Sequence, residues 1–142
     1  MGIEENKAVV REFVERLAKG DTSVIDELTT SNLVIHQIGI GSDMDREGMK
    51  QYNSNARSAL DSSPTIKDML AEGDKVLVFV TTKATHIGKW RNVASTGKNV
   101  EFSRMAIHRL EDGKIAESWT LIDRYGLYEQ LGAIPPMTEL GK

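Results

Sequence analysis

The run Ile107-His108-Arg109-Leu110-Glu111-Asp112-Gly113-Lys114-Ile115, continued through Ala116 into Glu117-Ser118-Trp119-Thr120-Leu121-Ile122-Asp123, decides the fold. Two stretches rich in apolar residues flank Glu111-Asp112-Gly113, a tight-turn sequence, so the segment reads as a β-hairpin. Its first arm extends upstream to Asn99 and its second runs from Lys114 to Asp123. Before it lies a loop, Ile87 to Gly97, that holds Trp90. Earlier still, Lys75 to His86 is a long strand centred on Val76-Leu77-Val78-Phe79-Val80, preceded by the turn Gly73-Asp74 and a weaker strand from Thr65 to Glu72. The second half of the chain is therefore an antiparallel meander.

The first part is helical. Ile3, Val9, Val10, Phe13, Val14 and Leu17 recur at helical spacing, and Gly20 stands where a helix would end. Asp21 or Thr22 caps a short second helix carrying Val24, Ile25 and Leu28. Leu33 to Ile38 reads as a strand and Gly39 to Asp43 as a loop. Asp45 caps a third helix whose apolar face is Met49, Tyr52, Ala56 and Leu60, and Tyr125 to Leu131 forms a last short helix. Helices first and a meander after predict an α+β domain, with a curved sheet closing over the helices around one apolar hollow.

With 142 residues the chain makes one domain, 1–142, of which 133–142 reads as a C-terminal tail. It holds no cysteine, which excludes disulfides, zinc thiolate sites and thiol nucleophiles. The net charge of -3 argues against a nucleic-acid groove or an anionic membrane surface. No apolar run approaches the ~20 residues of a membrane span. The start, Met1-Gly2-Ile3-Glu4-Glu5-Asn6, reads as neither a signal peptide nor a myristoylation site, so the expected location is the cytoplasm.

Alternation in the last strand puts Ile115, Glu117, Trp119, Leu121 and Asp123 on one face. If Trp119 and Leu121 line the hollow, Asp123 points into it, where burial would raise its pKa towards that of a general acid/base. The plainer alternative is that Asp123 caps the turn at Tyr125. His36, on the face of Val34 and Ile38, His86, on the face of Val78 and Val80, and His108, sharing parity with Phe102 and Arg104, are candidate proton shuttles or oxygen ligands. Each has a bland reading as a packed histidine. Their spacing gives no metal signature, so no metal is expected. An inward Arg104 would pair with Asp123 or bind a substrate carboxylate; spacing alone favours the plainer reading, a solvated strand face. Gly39-Ile40-Gly41 lacks the rest of a dinucleotide fingerprint, and no phosphate loop or nucleophile elbow exists, so no cofactor is expected.

Together, several stretches resemble the SnoaL-like polyketide cyclase (ester cyclase) branch of the nuclear-transport-factor-2-like superfamily. They are Asn6-Lys7-Ala8-Val9-Val10-Arg11-Glu12-Phe13, Ala71-Glu72-Gly73-Asp74-Lys75-Val76, Thr85-His86-Ile87-Gly88, the hairpin quoted above, and Gly126-Leu127-Tyr128-Glu129-Gln130-Leu131-Gly132. The resemblance implies a cone-shaped curved antiparallel sheet packed on N-terminal helices, a cystatin-like α+β barrel. It also implies a homodimer or homotetramer and a cofactor-free pocket for a small apolar or aromatic ligand. It implies, further, ring closure by intramolecular aldol condensation, with Asp123 as the acid/base and Trp119 in the pocket. On that reading Asp123, His36 and Arg104 are the catalytic candidates, and Trp119, His86, Leu121, Phe13, Tyr52 and His108 the substrate-binding ones. The chain departs from the pattern at Ser118, where many relatives carry His, at Trp90, where Phe is common, and in the tail from Ile134 to Lys142. A non-catalytic binder, and an isomerase or epoxide hydrolase with Glu117 as second carboxyl, are the alternatives on this fold.

Overall fold

A computed structural model describes residues 2–139 and 141. Helix α1 (Ile3–Ala18) is followed by α2 (Val24–Leu28), strand β1 (Thr29–Gln37), a two-residue strand β2 (Asp43–Met44) and helix α3 (Arg46–Ala59). Then come β3 (Leu60–Glu72), β4 (Lys75–His86), β5 (Asn99–Glu111), β6 (Lys114–Ile122), helix α4 (Arg124–Gln130) and a 3₁₀ turn (Met137–Glu139). The expected tail reaches Leu140 and Lys142, which lie outside the described residues, as does Met1.

One six-stranded sheet is formed in the order β2-β1-β6-β5-β4-β3. Only the β1–β6 pairing is parallel; the others are antiparallel. The meander expected from the sequence is there, and β1 brings the first strand back beside the last. The fold is α+β, with a curved sheet wrapped on the helices. Strand β3 begins at Leu60, earlier than the sequence suggests, and runs through Pro64. Proline is tolerated because β3 is the sheet's free edge, where no neighbour needs its missing N–H.

The main core joins Val10, Phe13 and Val14 of α1 and Ile25 of α2 to Leu33, Val76, Val78, Val80, Ala106 and Ile115 of the sheet. A smaller core packs Leu127 of α4 and Leu131, just past its end, against Trp90, Val100, Ala84 and Leu60. Gly88 lies hard against the backbone: a Cβ there would sit 2.3 Å from the backbone oxygen of Ser58. The loop after β4 can thus lie directly on the end of α3.

One irregularity decides which side chains face inward. Along β5 the buried positions are even: Val100, Ala106, His108 and Leu110. In β6, Ile115 is buried opposite Leu110, but the register then shifts, so that Arg109 pairs with Glu117. Ala116 is the extra residue of a β-bulge, and a bulge of one residue moves every later side chain to the other face. Beyond it the inward residues are Ser118, Thr120 and Ile122. Glu117, Trp119, Leu121 and Asp123 therefore lie on the outer face, and Leu121 is 52% exposed.

Candidate functional site

Between the sheet and the helices lies a cavity of two connected chambers. The inner one, about 150 Å³, is walled by Phe13, Leu33, Ile35, Met44, Met49 and Ile115, with Thr29, Gln37, His108, Ser118 and Thr120 among its polar members. The outer one, about 340 Å³, is lined by Trp90, Phe102, Leu60, Leu127 and Thr82, with Lys19, Arg57 and Asp61 towards its rim. Leu17, Tyr52, Asn53, Arg104, Ile122 and Arg124 belong to both chambers and stand at the constriction where they meet.

Each polar member is positioned by its element. Tyr52 and Asn53 sit on the inward face of α3, which Asp45 caps by accepting from the Gly48 N–H at 2.7 Å. The Tyr52 ring meets Trp90 edge to face, 6.1 Å between centroids. Arg104 and His108 are two turns of the β5 pleat apart on its inner face. His108 is 5% exposed, and its Nδ1 lies 2.7 Å from Ser118 Oγ on the neighbouring strand. Its Nε2 has no hydrogen-bond partner, and its ring lies edge-on to Phe13.

The electrostatics follow from burial. His108 is pushed down to about 3, first because its surroundings exclude water and second because the Arg104 charge is close. It is a neutral imidazole at neutral pH. Burial raises Tyr52 above the ordinary phenol range, with Arg124, Arg91 and Arg104 opposing. Arg104 is half-buried and burial lowers its pKa, but an arginine remains a cation throughout the working range. Among the described residues Arg104 makes no ion pair, and the inner chamber is lined by no carboxylate.

The sequence reading is corrected at several places. Asp123 is exposed and caps α4: its Oδ1 accepts from the Gly126 N–H at 2.9 Å, the plainer of its two readings. Trp119 and Leu121 share the outer face with it, displaced by the bulge at Ala116. Trp119 stacks on His36 at 5.4 Å. His36 lies outside the cavity, bonded through Nε2 to Glu117 at 2.7 Å and through Nδ1 to Asp43 at 3.0 Å. These two carboxylates raise its pKa, Glu117 most. Glu117 is tied up further by Arg109 Nε at 3.2 Å and is no second carboxyl of the cavity. His86 faces inward but is fully buried against the loop after β4, where its Nδ1 accepts from the Thr96 N–H at 3.1 Å; it reaches neither chamber.

Phe13, Tyr52, Arg104 and His108 are brought together around the cavity. The sequence reading omitted Ser118, Thr120, Asn53 and Arg124. A signal for the first two existed: Ile115-Ala116 is followed by Glu117, and a carboxylate two residues after a core isoleucine marks a change of face.

Three comparisons bear on this arrangement. The model of the SnoaL-like polyketide cyclase family matches residues 7–131. No protein of curated function matches. Among solved structures, the chain is similar to AclR from Streptomyces galilaeus, a proposed hydroxylase, with a TM-score of 0.87 and 27% identity over 94% of this chain and 100% of that one. It is also similar to IdmH from Streptomyces antibioticus, a proposed polyketide cyclase, with a TM-score of 0.81 and 27% identity over 89% of this chain and 98% of that one. A likeness to an epoxide hydrolase of the LEH type from M. tuberculosis, 18% identical with a TM-score of 0.72 over 91% and 90%, shows the fold alone.

Proposed function

The chain belongs to the SnoaL-like polyketide cyclase family, and from that premise we propose that it is a cofactor-free enzyme of carbonyl chemistry in which His108, not Asp123, moves the proton. The observation that carries this reading is the His108–Ser118 pair, buried beside an arginine that no protein carboxylate neutralises.

The step balances within the protein and one substrate. With Nδ1–H donating to Ser118 Oγ, Nε2 keeps its lone pair without a protein partner. It is covered by the chamber wall in the empty site, and once the wall side chains shift around a bound substrate it takes a proton from a carbon flanked by carbonyls. The electron pair passes to the carbonyl oxygen, and the enolate is held by Arg104 and Tyr52, preplaced donors in a site with little water. The enolate carbon attacks a second carbonyl carbon of the same molecule, and the resulting alkoxide takes the proton back from His108. Nothing is oxidised or reduced, and no water is consumed. In the empty site His108 is a weak base. An enolate beside Arg104 cancels the nearby positive charge that helps hold its pKa down, so basicity rises as the anion forms. Epoxide opening has less support, because it calls for acidic groups converging on the site and the inner chamber offers none among the described residues.

The test is exchange of the α-protons of ethyl benzoylacetate, a one-ring β-dicarbonyl, into D₂O, followed by proton NMR. The wild-type protein is expected to accelerate exchange, and His108→Gln and Arg104→Gln to lose about 100-fold or more. Equal exchange in wild type and His108→Gln would remove His108 from the mechanism. Binding of the ketoester without exchange would favour the ligand-binding reading instead.

A further inference from the structure

The charges around the constriction are one-sided. Four arginines outside the cavity hold carboxylates: Arg11 holds Glu15, Arg16 holds Asp21 and Glu27, Arg46 holds Asp26, and Arg109 holds Glu117. Arg57, at the rim, donates to the Leu17 carbonyl instead. Arg104 and Arg124, which both line both chambers, make no ion pair among the described residues. Arg91, the third arginine acting on the Tyr52 hydroxyl, lies over the Trp90 ring at 5.8 Å. Asp61, at the rim of the outer chamber, is the one carboxylate against Lys19, Arg57, Arg104 and Arg124 in that lining. This happens in a chain whose net charge is -3.

Two half-buried cavity arginines that hold no carboxylate are arranged for a counter-charge that arrives with the ligand. Partial burial makes the arrangement costly while the cavity is empty, and an incoming anion removes that cost. A cleft with apolar walls also concentrates the field of its cations. The inner chamber has the size of an engineered apolar cavity that binds benzene, so one ring or a short branched alkyl group fills it.

We propose that the substrate carries a free carboxylate, seated between Arg124 and Arg104, with its apolar portion in the inner chamber. The substrate class is then an apolar oxo acid bound as its anion, in preference to the corresponding neutral ester, which enters the same cavity more weakly. This rests on the enzymatic reading above and narrows it. The guanidinium fork suits a planar carboxylate, which can take two parallel hydrogen bonds, whereas an ester or amide presents a neutral carbonyl.

The experiment is calorimetric titration of the wild-type protein with 4-tert-butylbenzoate, 4-tert-butylbenzamide and inorganic phosphate. The benzoate is expected to bind about tenfold or more tightly than the amide, a difference of about 1.4 kcal/mol. The preference shrinks as salt is added. Arg124→Gln and Arg104→Gln each reduce it, and phosphate, which cannot use the apolar chamber, binds more weakly than the benzoate. Equal binding of benzoate and amide overturns the proposal. So does failure of the benzoate to bind at millimolar concentration, phosphate binding as tightly as the benzoate, or a preference that survives the double variant. The wild-type comparison needs no variant to fold, and none of these outcomes depends on turnover. Loss of proton exchange with an intact carboxylate preference would instead fault the catalytic reading and leave this one standing.

Discussion

Asp123 offers the sharpest discrimination between a structural and a chemical carboxylate. Its Oδ1 accepts from the Gly126 N–H at 2.9 Å and so caps α4, whose Leu127 enters the smaller core together with Leu131 just past the helix's end. Asp123→Ala removes the cap and is expected to cost about 1 kcal/mol, or about 3 °C in melting temperature for a chain of this size. Asp123→Asn keeps an acceptor of the same shape and is expected to be nearly silent in stability. Gly126 supplies an internal control, because a Cβ there would lie 2.3 Å from Asp123 Oδ2. In the wild-type background Gly126→Ala gains helix propensity and loses the cap, two effects of about 1 kcal/mol each that nearly cancel. In the Asp123→Ala background only the gain remains, so the same substitution is expected to stabilise by up to about 1 kcal/mol. Urea melts of the four proteins read this coupling directly. Proton exchange on ethyl benzoylacetate, measured on the same samples, should be unchanged in Asp123→Asn. A variant Asp123→Asn that melts like the wild type yet loses exchange would refute the reasoning and return the carboxyl to the chemistry.

Further outcomes are expected from the two histidines and one glycine. The folded chain keeps His108 neutral down to about pH 3, whereas the unfolded chain protonates it below about 6.5. Its contribution is therefore present above 6.5 and lost as the pH falls, at about 1.4 kcal/mol per unit. Urea midpoints should drop less steeply on acidification in His108→Leu than in the wild type, and NMR should show no titration of His108 above pH 5. His36 moves oppositely: Glu117 and Asp43 raise its folded pKa, so its contribution is complete below 6.5 and fades as the pH rises through that raised value. In His36→Gln the melting temperature should lose that alkaline decline. Gly88→Ala forces a Cβ against the Ser58 carbonyl oxygen and is expected to cost about 1–3 kcal/mol by thermal melt.

Much of the fold was legible because its signals are local. The β5–β6 hairpin announces itself by Glu111-Asp112-Gly113, where Asp112 adopts φ 51° and Gly113 φ 78°, the paired positive angles that such turns need. The N-terminal helix follows from the spacing of Val10, Phe13, Val14 and Leu17. The parallel return of β1 beside β6 has no local signature, since the partners Val34 and Glu117 are far apart in the chain. The site was half legible. Arg104 and His108 share one parity because β5 pairs with β4 without a register shift, but the spacing left open whether that parity faces inward.

The misplacement of Asp123 has a single cause, and it says what a strand pattern can carry. Parity counts faces only while pairing is one to one; the bulge at Ala116 breaks the count midway through β6. The outer face of the sheet then hides the break, because it too is apolar: Met105, Ile107 and Leu121 are all exposed there. With apolar residues on both faces, neither parity of β6 looks wrong, and Trp119 and Leu121 pass for a pocket wall. What does distinguish the faces is the polar company. Outside, His36, Glu117, Asp43 and Arg109 satisfy one another within a network. Inside, the orphan His108 Nε2 and the two unpaired arginines have no such partners. Polar groups that a protein keeps half-buried and unsatisfied are poised for something absent from its own chain. That asymmetry, rather than the richness of aromatic residues, is what supports the proposal that Arg104 and His108 carry the chemistry.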